Sequence, residues 1–462
     1  MNTHWLVKRA KDMPDKTAFI FNDEKYTFQM VYEHAHQLAR HIRALDSRRV
    51  ALFVQNNAAS YLLINACMLA NVEIVLINNR LQASEIEGQL NDIGVDVVIT
   101  MRALSLGDIR VIEYDRLEDM DSSSLESDTF EPADTLSVMF TSGTTGRAKA
   151  VIQTYANHMA SEAQCRTALL YDDSSTWLCV NPIYHISGLS IIFRTLITGS
   201  TLVMSETFDE DKVLALIDTH NVTHTSFVPV MLERLIHKDF DWSNVSVLLG
   251  GANVRVRLLK AAIDRNIKVY NSYGMTETMS QMITISYYDS KMLEGAVGRI
   301  DGGYIKLDDD GHIWVGSDNV TPGYLNADIV KRDGFFNTGD IGHIDGKGYL
   351  YILDRREDLI ISGGENIYPK EIEDLIHAHL DIHVVVVKRT SDTWGEVPVL
   401  VIEGAYNEEL VASIKALFDK NLARFKHPKD IIFVEEILRT STGKVSRRLN
   451  KGEYVDTKKE KL

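Results

Sequence analysis

Ten consecutive residues, Phe140 to Lys149, combine hydroxyls, glycines and two cations in one loop that directly follows an apolar run. Glycine lets backbone N–H groups approach an anion closely, and hydroxyl and cationic side chains add donors and positive charge. On its own this composition also fits a flexible connector. The residue types nevertheless predict a phosphate-binding loop, made of Thr141, Ser142, Gly143, Thr144, Thr145, Gly146, Arg147 and Lys149.

This loop differs from the commonest nucleotide-binding motif. The pattern G-x-x-x-x-G-K-[ST] would need glycine at Ala148 and serine or threonine at Ala150. A P-loop nucleotidase is therefore a poor match, and no G-x-G-x-x-G follows a predicted strand.

A second polar segment, Asn271 to Thr278, follows a strand that we expect to end at Tyr270. Open α/β sheets bind ligands at the carboxyl ends of their strands. Tyr273 could stack on a base, Thr276 could donate to a phosphate, and Glu277 is a hard oxygen ligand suited to Mg²⁺. An ordinary βα turn is the alternative interpretation.

Four further segments carry polar or charged groups that could bind a ligand, although each segment alone is weak evidence of a binding site. Asp340 is an acceptor that could pair with two hydroxyls, or the first residue of an Asx turn. Lys444 in a basic tail could simply aid solubility. The segments are Gly250 to Asn253, Thr338 to Asp340, the charged run Asp354 to Asp358, and Thr440 to Arg448.

Taken in this order, the motifs resemble those of the adenylate-forming superfamily, which includes acyl-CoA synthetases, luciferases and peptide-synthetase adenylation domains. The resemblance covers the chain from about Thr141 to Lys444. The chain departs from the family pattern at five positions. Ala148 and Leu438 stand where the family usually has proline, Ala150 and Asp354 where it usually has glycine, and Glu357 where it usually has aspartate.

The resemblance implies ATP, Mg²⁺ and coenzyme A as cofactor, metal and co-substrate. Lys444 would be the catalytic lysine of adenylation, bridging carboxylate and α-phosphate, and Glu357 would mark a hinge. The implied nucleotide contacts are the phosphate loop with Lys149, the adenine-side residues Gly251 and Ala252, Tyr273, Thr276 at a phosphate, Asp340 at the ribose, and Arg355 at the ribose or phosphates. Glu277 is the implied metal ligand.

The segment Asn181 to Ser190, with Arg194 and the run Tyr273 to Gln281, resembles the acyl pocket of the o-succinylbenzoate–CoA ligases of this superfamily, which serve menaquinone synthesis. The resemblance implies that His185, Ser190 and Arg194 face the acyl substrate, although a lone histidine is more often a core residue. Arg194 is a cation in an apolar stretch, so it should meet an anion. The anion could be a substrate carboxylate or an internal Asp or Glu. Alternatively, Arg194 needs no anion because it is exposed on the helix surface.

The expected reaction is therefore ATP-dependent activation of a carboxylic acid as acyl-AMP, followed by transfer to CoA, with o-succinylbenzoate as the expected acid. Another acyl- or aryl-CoA ligase, for fatty or benzoic acids, is the first alternative. A luciferase-like oxidoreductase or a non-ligase nucleotide-binding protein is the second. We do not expect a carrier-protein adenylation domain, since no carrier module follows Leu462.

Composition narrows the class of protein. The 462 residues exceed what one core supports, and the net charge of −16 argues against partners such as nucleic acid or an anionic membrane. Three cysteines without a C-x-x-C pair indicate reduced thiols in a cytoplasmic protein. No signal peptide or membrane span is expected, because the apolar region Tyr61 to Ile77 is broken by polar residues. The sequence leaves a homo-oligomer open.

The elements that must position these residues alternate between strand and helix patterns, which predicts parallel sheets with crossover helices. Ser84 with Glu87 predicts a capping box. Beyond Gly298 short runs predict a small antiparallel β region. The expected fold is α/β, with a large N-terminal domain at residues 1–354 and a small, mobile α+β domain at residues 355–462.

Overall fold

The computed structural model describes residues 2–125, 127–141, 148–440 and 443–456. The chain forms two compact units: Met1–Gly251 with Ala261–Asp289 and Gly316–Lys331, and Ala252–Lys260 with Ser290–Val315 and Arg332–Leu462. The division at residues 354 and 355 stays a prediction. Among the described residues, no helix is long and apolar enough to cross a membrane.

Most helices bury an apolar face and begin at a residue whose side chain caps the first turn. In α2, for example, Thr27 accepts from the Met30 N–H, and in α5 Thr154 accepts from the Asn157 N–H. The α-helices are α1 Trp5–Asp12, α2 Phe28–Arg43, α3 Ala58–Leu69, α4 Ala83–Asn91, α5 Tyr155–Leu169, α6 Ile186–Thr198, α7 Glu210–Thr219, α8 Pro229–Leu235, α9 Val256–Asp264, α10 Pro369–His379, α11 Glu408–Asn421 and α12 Arg447–Lys451.

The first unit contains two large sheets, in which the central strands pair in parallel and antiparallel strands lie at the margins, except that the edge strand β7 pairs in parallel with β6. One has the order β10-β9-β5-β4-β6-β7 and the other β16-β15-β14-β13-β11-β12-β2-β3. The strands are β1 Asn2–Thr3, β2 Thr17–Phe21, β3 Glu24–Thr27, β4 Arg49–Phe53, β5 Glu73–Ile77, β6 Val97–Thr100, β7 Arg110–Glu113, β8 Thr129–Phe130, β9 Thr135–Thr141, β10 Lys149–Thr154, β11 Thr176–Cys179, β12 Thr201–Met204, β13 His224–Phe227, β14 Ser246–Leu249, β15 Lys268–Met275 and β16 Ser280–Ser286.

The second unit contains an antiparallel sheet of order β17-β22-β21-β19-β18 and a mixed sheet of order β24-β23-β26-β25, with β27 paired to β26. Helices α10 and α11 contribute Ile372, Ile376, Ile414 and Phe418 to the core of the mixed sheet. The strands are β17 Gly298–Arg299, β18 Ile305–Leu307, β19 His312–Val315, β20 Lys331–Arg332, β21 Phe335–Ile344, β22 Tyr349–Arg355, β23 Ile360–Ser362, β24 Glu365–Ile367, β25 Val384–Ser391, β26 Gly395–Glu403 and β27 Asp430–Val434.

The expected fold class is confirmed: the chain has parallel-rich α/β sheets, a small antiparallel β region and an α+β portion near its C-terminus. Two local predictions are wrong. Helix α4 begins at Ala83, and Glu85 rather than Glu87 completes the cap by accepting from the Gln82 N–H at 2.9 Å. Strand β15 runs on to Met275, because β16 pairs with it in antiparallel register.

Candidate adenylate-forming site

The predicted phosphate loop connects two antiparallel strands. β9 ends at Thr141, and β10 begins at its register partner Lys149. Between them, Ser142, Gly143, Thr144, Thr145, Gly146 and Arg147 lie outside the described residues. Their predicted phosphate contacts therefore stay predictions, and the described part of this region is its two-stranded stem.

One segment of the first unit lies along the start of β10, and we call Thr321–Asn326 the strap. The Ile152 N–H donates to the Gly323 carbonyl at 3.0 Å, and the Leu325 N–H donates to the Ala150 carbonyl at 2.9 Å. The Asn326 amide extends this pairing, accepting from the Ala150 N–H at 2.8 Å and donating to the Ala148 carbonyl at 2.9 Å. The strap therefore continues the stem of the loop as a third, irregular strand.

The strap also contacts the predicted metal ligand. The Tyr324 hydroxyl donates to Oε1 of Glu277 at 2.9 Å, and the Thr321 N–H donates to the Glu277 carbonyl at 2.8 Å. No described residue donates a hydrogen bond to Oε2 of Glu277. This half-exposed carboxylate thus has one oxygen held by the protein and one available, which fits a group that binds Mg²⁺ through a carboxylate oxygen.

The neighbouring Thr276 is held through its backbone. Nε2 of Gln153 donates to the Thr276 carbonyl at 3.4 Å, and Oε1 of Gln153 accepts from Oγ of the buried Ser137 at 2.6 Å. Gln153 lies on β10, so this contact joins the strand after the phosphate loop to the turn that carries Thr276 and Glu277.

Two glycines allow strands of this region to approach closely. A Cβ at Gly250, directly after β14, would lie 2.5 Å from Oγ of Ser272, and one at Gly274 would lie 1.8 Å from the Ser280 carbonyl oxygen. The contact at Gly274 is with backbone, so a larger residue there would displace β15 or β16, whereas at Gly250 the Ser272 hydroxyl would have to turn away. Gly251 has a φ of +80°, in the left-handed region, and Ala252 is exposed. Tyr273 lies inside β15 and is half-buried.

The residues predicted to face the acyl substrate lie on α6 or directly before it. His185 precedes the first residue of this helix, and its ring packs against Tyr184 with centroids 4.7 Å apart. Ser190 and Arg194 are one helical turn apart and therefore share a face. Both are buried, and the Ser190 hydroxyl has no hydrogen-bond partner among residues 2–125, 127–141, 148–440 and 443–456.

Arg194 is 2% exposed, so exposure on the helix is ruled out. Its Nη2 donates to Oε1 of Gln281 at 3.3 Å, while Nε and Nη1 have no hydrogen-bond partner in the described part of the chain. The contact joins two stretches that the sequence singled out separately, α6 and the run ending at Gln281.

An internal carboxylate, Glu162, also interacts with the charge of Arg194. Burial raises the pKa of Glu162, and the charges of Arg166 and Arg194 oppose that rise. Oε1 of Glu162 lies 3.2 Å from Nε of Arg166, so Arg166 is its ion-pair partner and Arg194 acts on it from a longer distance. Burial, and secondarily the charge of Arg194, lowers the pKa of His158 to about 3, so this imidazole is neutral.

In the second unit the structure brings Asp340, Arg355 and Glu357 together. Asp340 and Arg355 are cross-strand partners on β21 and β22, and Nε of Arg355 lies 3.3 Å from Oδ1 of Asp340. Nη1 of Arg355 lies 3.8 Å from Oε1 of Glu357. The aspartate predicted to bind the ribose, the arginine predicted to reach the ribose or phosphates and the predicted hinge residue thus form one charged group.

The predicted adenylation lysine lies on an exposed loop. The Thr440 N–H donates to the Lys444 carbonyl at 2.7 Å, and the Lys444 N–H donates to Oγ1 of Thr440 at 3.3 Å. The Ser446 N–H donates to the Leu438 carbonyl at 3.0 Å, which closes the base of the loop. These bonds connect the backbone of Lys444 to Thr440, while Ser441 and Thr442 between them lie outside the described residues.

Sequence reasoning missed a buried charge cluster next to this loop, centred on Arg447. Its Nη1 lies 3.0 Å from Oδ2 of Asp358 and 3.4 Å from Oδ1 of Asp354, and its Nη2 lies 2.7 Å from Oε2 of Glu373. The cluster joins the segment that contains Glu357 to α10 and to the helix after Lys444. The only signal in the sequence was the run of charges at 354–358.

Comparisons with known proteins identify the family to which the chain belongs. The family model described as "AMP-binding enzyme" matches residues 6–325, and the model "AMP-binding enzyme C-terminal domain" matches residues 371–444. The chain is 37% identical to a 2-succinylbenzoate–CoA ligase of Staphylococcus epidermidis, over 97% of both chains. It is 39% identical to one of Listeria monocytogenes, over 96% of this chain and 98% of the other.

Solved structures give the same result. The o-succinylbenzoate CoA synthetase (MenE) of Bacillus subtilis, in complex with the acyl-adenylate intermediate OSB-AMP, superposes with a TM-score of 0.90 at 32% identity, covering 97% of this chain and 98% of that one. The same protein in complex with ATP and magnesium ion has a TM-score of 0.88 at 31% identity, covering 97% and 99%.

Proposed function

Because this chain belongs to the AMP-binding enzyme family, we propose that it is an ATP-dependent ligase that converts o-succinylbenzoate to o-succinylbenzoyl-CoA for menaquinone synthesis. The observation that carries the proposal is the similarity along the whole chain to curated 2-succinylbenzoate–CoA ligases. ATP, Mg²⁺ and CoA are the cofactor, metal and co-substrate. A fatty or benzoic acid ligase is the alternative for the acid, and no contact in the described residues favours it.

The first half-reaction makes the carboxylate reactive. A carboxylate oxygen attacks the α-phosphorus of ATP, a P–O bond to the β-phosphate breaks, and acyl-AMP and pyrophosphate result. The phosphate loop, with Lys149, and Thr276 bind the phosphates. Glu277 would hold Mg²⁺, and the bound ion would supply positive charge that neutralises the phosphates. Donors and cations fixed before the reaction stabilise this charge without reorganising.

Residues of the second unit also contribute to nucleotide binding in this proposal. Asp340 accepts from the ribose hydroxyls, and Arg355, already beside Asp340, reaches the ribose or phosphates. Lys444 bridges the substrate carboxylate and the α-phosphate, and its positive charge offsets the negative charge of these two groups.

For the acid, we propose that His185 forms a wall of the acyl pocket and that Ser190 and Arg194 bind the second carboxylate of o-succinylbenzoate. Arg194 keeps two buried N–H donors, on Nε and Nη1, without partners among the described residues. Buried donors without acceptors are unfavourable, so an incoming carboxylate, directly or through water, would relieve that cost. The alternative is that Glu162 compensates the positive charge of Arg194 without a substrate carboxylate.

The second half-reaction transfers the acyl group. The CoA thiol loses its proton and its sulfur attacks the acyl carbonyl, the bond to AMP breaks, and the thioester and AMP are released. In this proposal the C-terminal part of the chain turns about Glu357 between the two half-reactions, which removes Lys444 once the adenylate has formed. Glu357 is exposed and lies in the turn between β22 and β23, and such loop positions can absorb a change of backbone angles.

We further propose a cytoplasmic location, because Cys67, Cys165 and Cys179 are all free and buried. Burial raises the pKa of the Cys67 and Cys179 thiols to about 12, so both are unreactive.

A panel of acids tests the function. Pyrophosphate exchange into ATP is measured with o-succinylbenzoate, benzoate, 4-phenylbutyrate and a medium-chain fatty acid, at equal concentrations. We expect exchange with o-succinylbenzoate to exceed that with every other acid. Preference for benzoate or a fatty acid would contradict the assignment of the acid, and absence of exchange with all four would contradict the ligase itself.

A further inference from the structure

Tyr324 lies where three features of the first unit meet: the stem of the phosphate loop, the turn with Glu277, and Lys149. Its backbone pairs with Val151 of β10, and the strap on either side of it is hydrogen-bonded to Ala150 and Ile152. This backbone is therefore held by the sheet, and it cannot move without disrupting the pairing of the strap with β10.

The side chain of Tyr324 acts on two charged groups at once. Its hydroxyl donates to Oε1 of Glu277 at 2.9 Å, and Nζ of Lys149 lies 5.1 Å from the centroid of its ring. A cation within about 6 Å of an aromatic face is attracted by the ring quadrupole. One tyrosine therefore positions a carboxylate with its hydroxyl and an ammonium with its ring.

The hydroxyl is the donor in this contact, because a carboxylate offers only acceptor oxygens. Glu277 accepts through Oε1, and Oε2 receives no hydrogen bond from any described residue.

We propose that Tyr324 is a positioning residue for the adenylation step: it orients Glu277 toward the metal ion and Lys149 toward the nucleotide phosphates. The inference rests on the proposed ATP and Mg²⁺ chemistry. Partners that orient a metal ligand typically contribute 10- to 100-fold in metal affinity or activity. Neither composition nor spacing pointed to Tyr324.

The first test measures binding without turnover. Mn²⁺ replaces Mg²⁺, and the affinity of the enzyme for Mn²⁺·ATP is measured by electron paramagnetic resonance in the absence of acid. Tyr324→Phe keeps the ring and removes the hydroxyl, and it should weaken Mn²⁺·ATP binding about 10-fold or more. The matched control is Tyr26→Phe, since the Tyr26 hydroxyl donates to Glu24 at 2.7 Å on the exposed surface. This control should bind as wild type.

A double-mutant cycle shows whether the hydroxyl acts through the carboxylate. In a Glu277→Gln background, Tyr324→Phe should change Mn²⁺·ATP affinity by less than about twofold, because the charged acceptor is gone. Metal-free ATP affinity, measured in EDTA, separates the role of the ring. There Tyr324→Phe should match wild type and Tyr324→Leu should bind more weakly, because only the latter removes the face beneath Lys149.

Two results would overturn the inference: wild-type Mn²⁺·ATP affinity in Tyr324→Phe, or an equal loss in the presence and absence of the Glu277 carboxylate. A purely structural role would lower both metal-free and metal-bound affinities together with the melting temperature. Failure of the proposed function is distinguishable, because wild-type enzyme would then bind no Mn²⁺·ATP or activate none of the four acids.

Discussion

Replacing Arg447 by methionine should destabilise the second unit in a pH-dependent way. The side chains of Asp354 and Glu373 are 2% and 11% exposed, and Asp358 is 22% exposed, so all three carboxylates depend on this guanidinium. Nε of Arg447 also donates to the Val386 carbonyl at 3.2 Å. Methionine keeps much of the aliphatic volume and removes every one of these contacts.

The size of the loss in stability follows from how deeply these charged groups are buried. Removing one partner of a buried ion pair costs about 3–5 kcal/mol, because the remaining charge is left without compensation. Arg447 is 22% exposed, so we expect the lower end, about 3 kcal/mol at pH 7.5. Burial raises the pKa of Asp354 above 3.8 and of Glu373 above 4.5, although Arg447 opposes both shifts.

The direction in which the loss of stability changes with pH follows from these pKa shifts. A carboxyl whose pKa is higher in the folded state destabilises the fold when it is ionised, and this penalty develops as pH rises through the folded-state pKa. Loss of Arg447 raises both pKa values further. The free-energy difference between variant and wild type should therefore shrink as the pH falls from 7.5 to 5.5, because the folded variant then takes up protons.

Native-state hydrogen exchange of β25 measures this directly, since the Val386 N–H donates to Glu373 at 2.8 Å and a chain of two units need not unfold in one step. The matched control is Arg448→Met, because Arg448 is the exposed neighbour in the same helix. Equal losses in the two variants, or a loss of the same size at both pH values, would refute the reasoning.

Three further predictions concern catalysis. Lys444→Ala should lower the rate of adenylate formation ~10²–10³-fold while thioester formation from supplied acyl-AMP changes little; equal losses in both half-reactions would contradict the role of the lysine. Glu357→Pro should block thioester formation and spare adenylation, because proline fixes φ at the hinge; stopped-flow measurement of an unimpaired second step would move the hinge elsewhere. Arg194→Met should lower kcat/KM for o-succinylbenzoate roughly 10- to 100-fold with the KM for ATP unchanged. Full activity would mean that Glu162, and not the substrate, compensates the charge of Arg194.

The element types were largely predictable because hydrophobic periodicity is a local property. From Thr27 to Leu45, for example, apolar residues recur at helical spacing, which indicates a helix, and the structure has one at Phe28–Arg43. Strand ends were less predictable because pairing decides them. β15 continues through Tyr273 only because β16 returns beside it, which no pattern before Tyr270 indicates. The β10 strand was missed for a similar reason, since its pairing partner lies across the loop.

Residues of the candidate site were predictable where a side chain of suitable chemistry stands within a recognisable sequence motif, as Glu277 and Lys444 do. The residues that hold these groups were not. Tyr324 lies 47 positions from Glu277 and Arg447 lies 74 positions from Glu373, so their partnership exists only in the folded chain. Arg194 shows the intermediate case: its need for a partner was evident from the sequence, but Gln281 and Glu162 could be identified only from the packing of α5, α6 and β16.

The most direct test of the central claim is a single-turnover experiment in two stages. Enzyme in excess is mixed with ATP, Mg²⁺ and o-succinylbenzoate, and the products are identified by mass spectrometry before and after CoA is added. We expect o-succinylbenzoyl-AMP and pyrophosphate in the first stage, and o-succinylbenzoyl-CoA and AMP in the second. Formation of ADP and phosphate, or an adenylate that CoA does not convert to a thioester, would contradict the account.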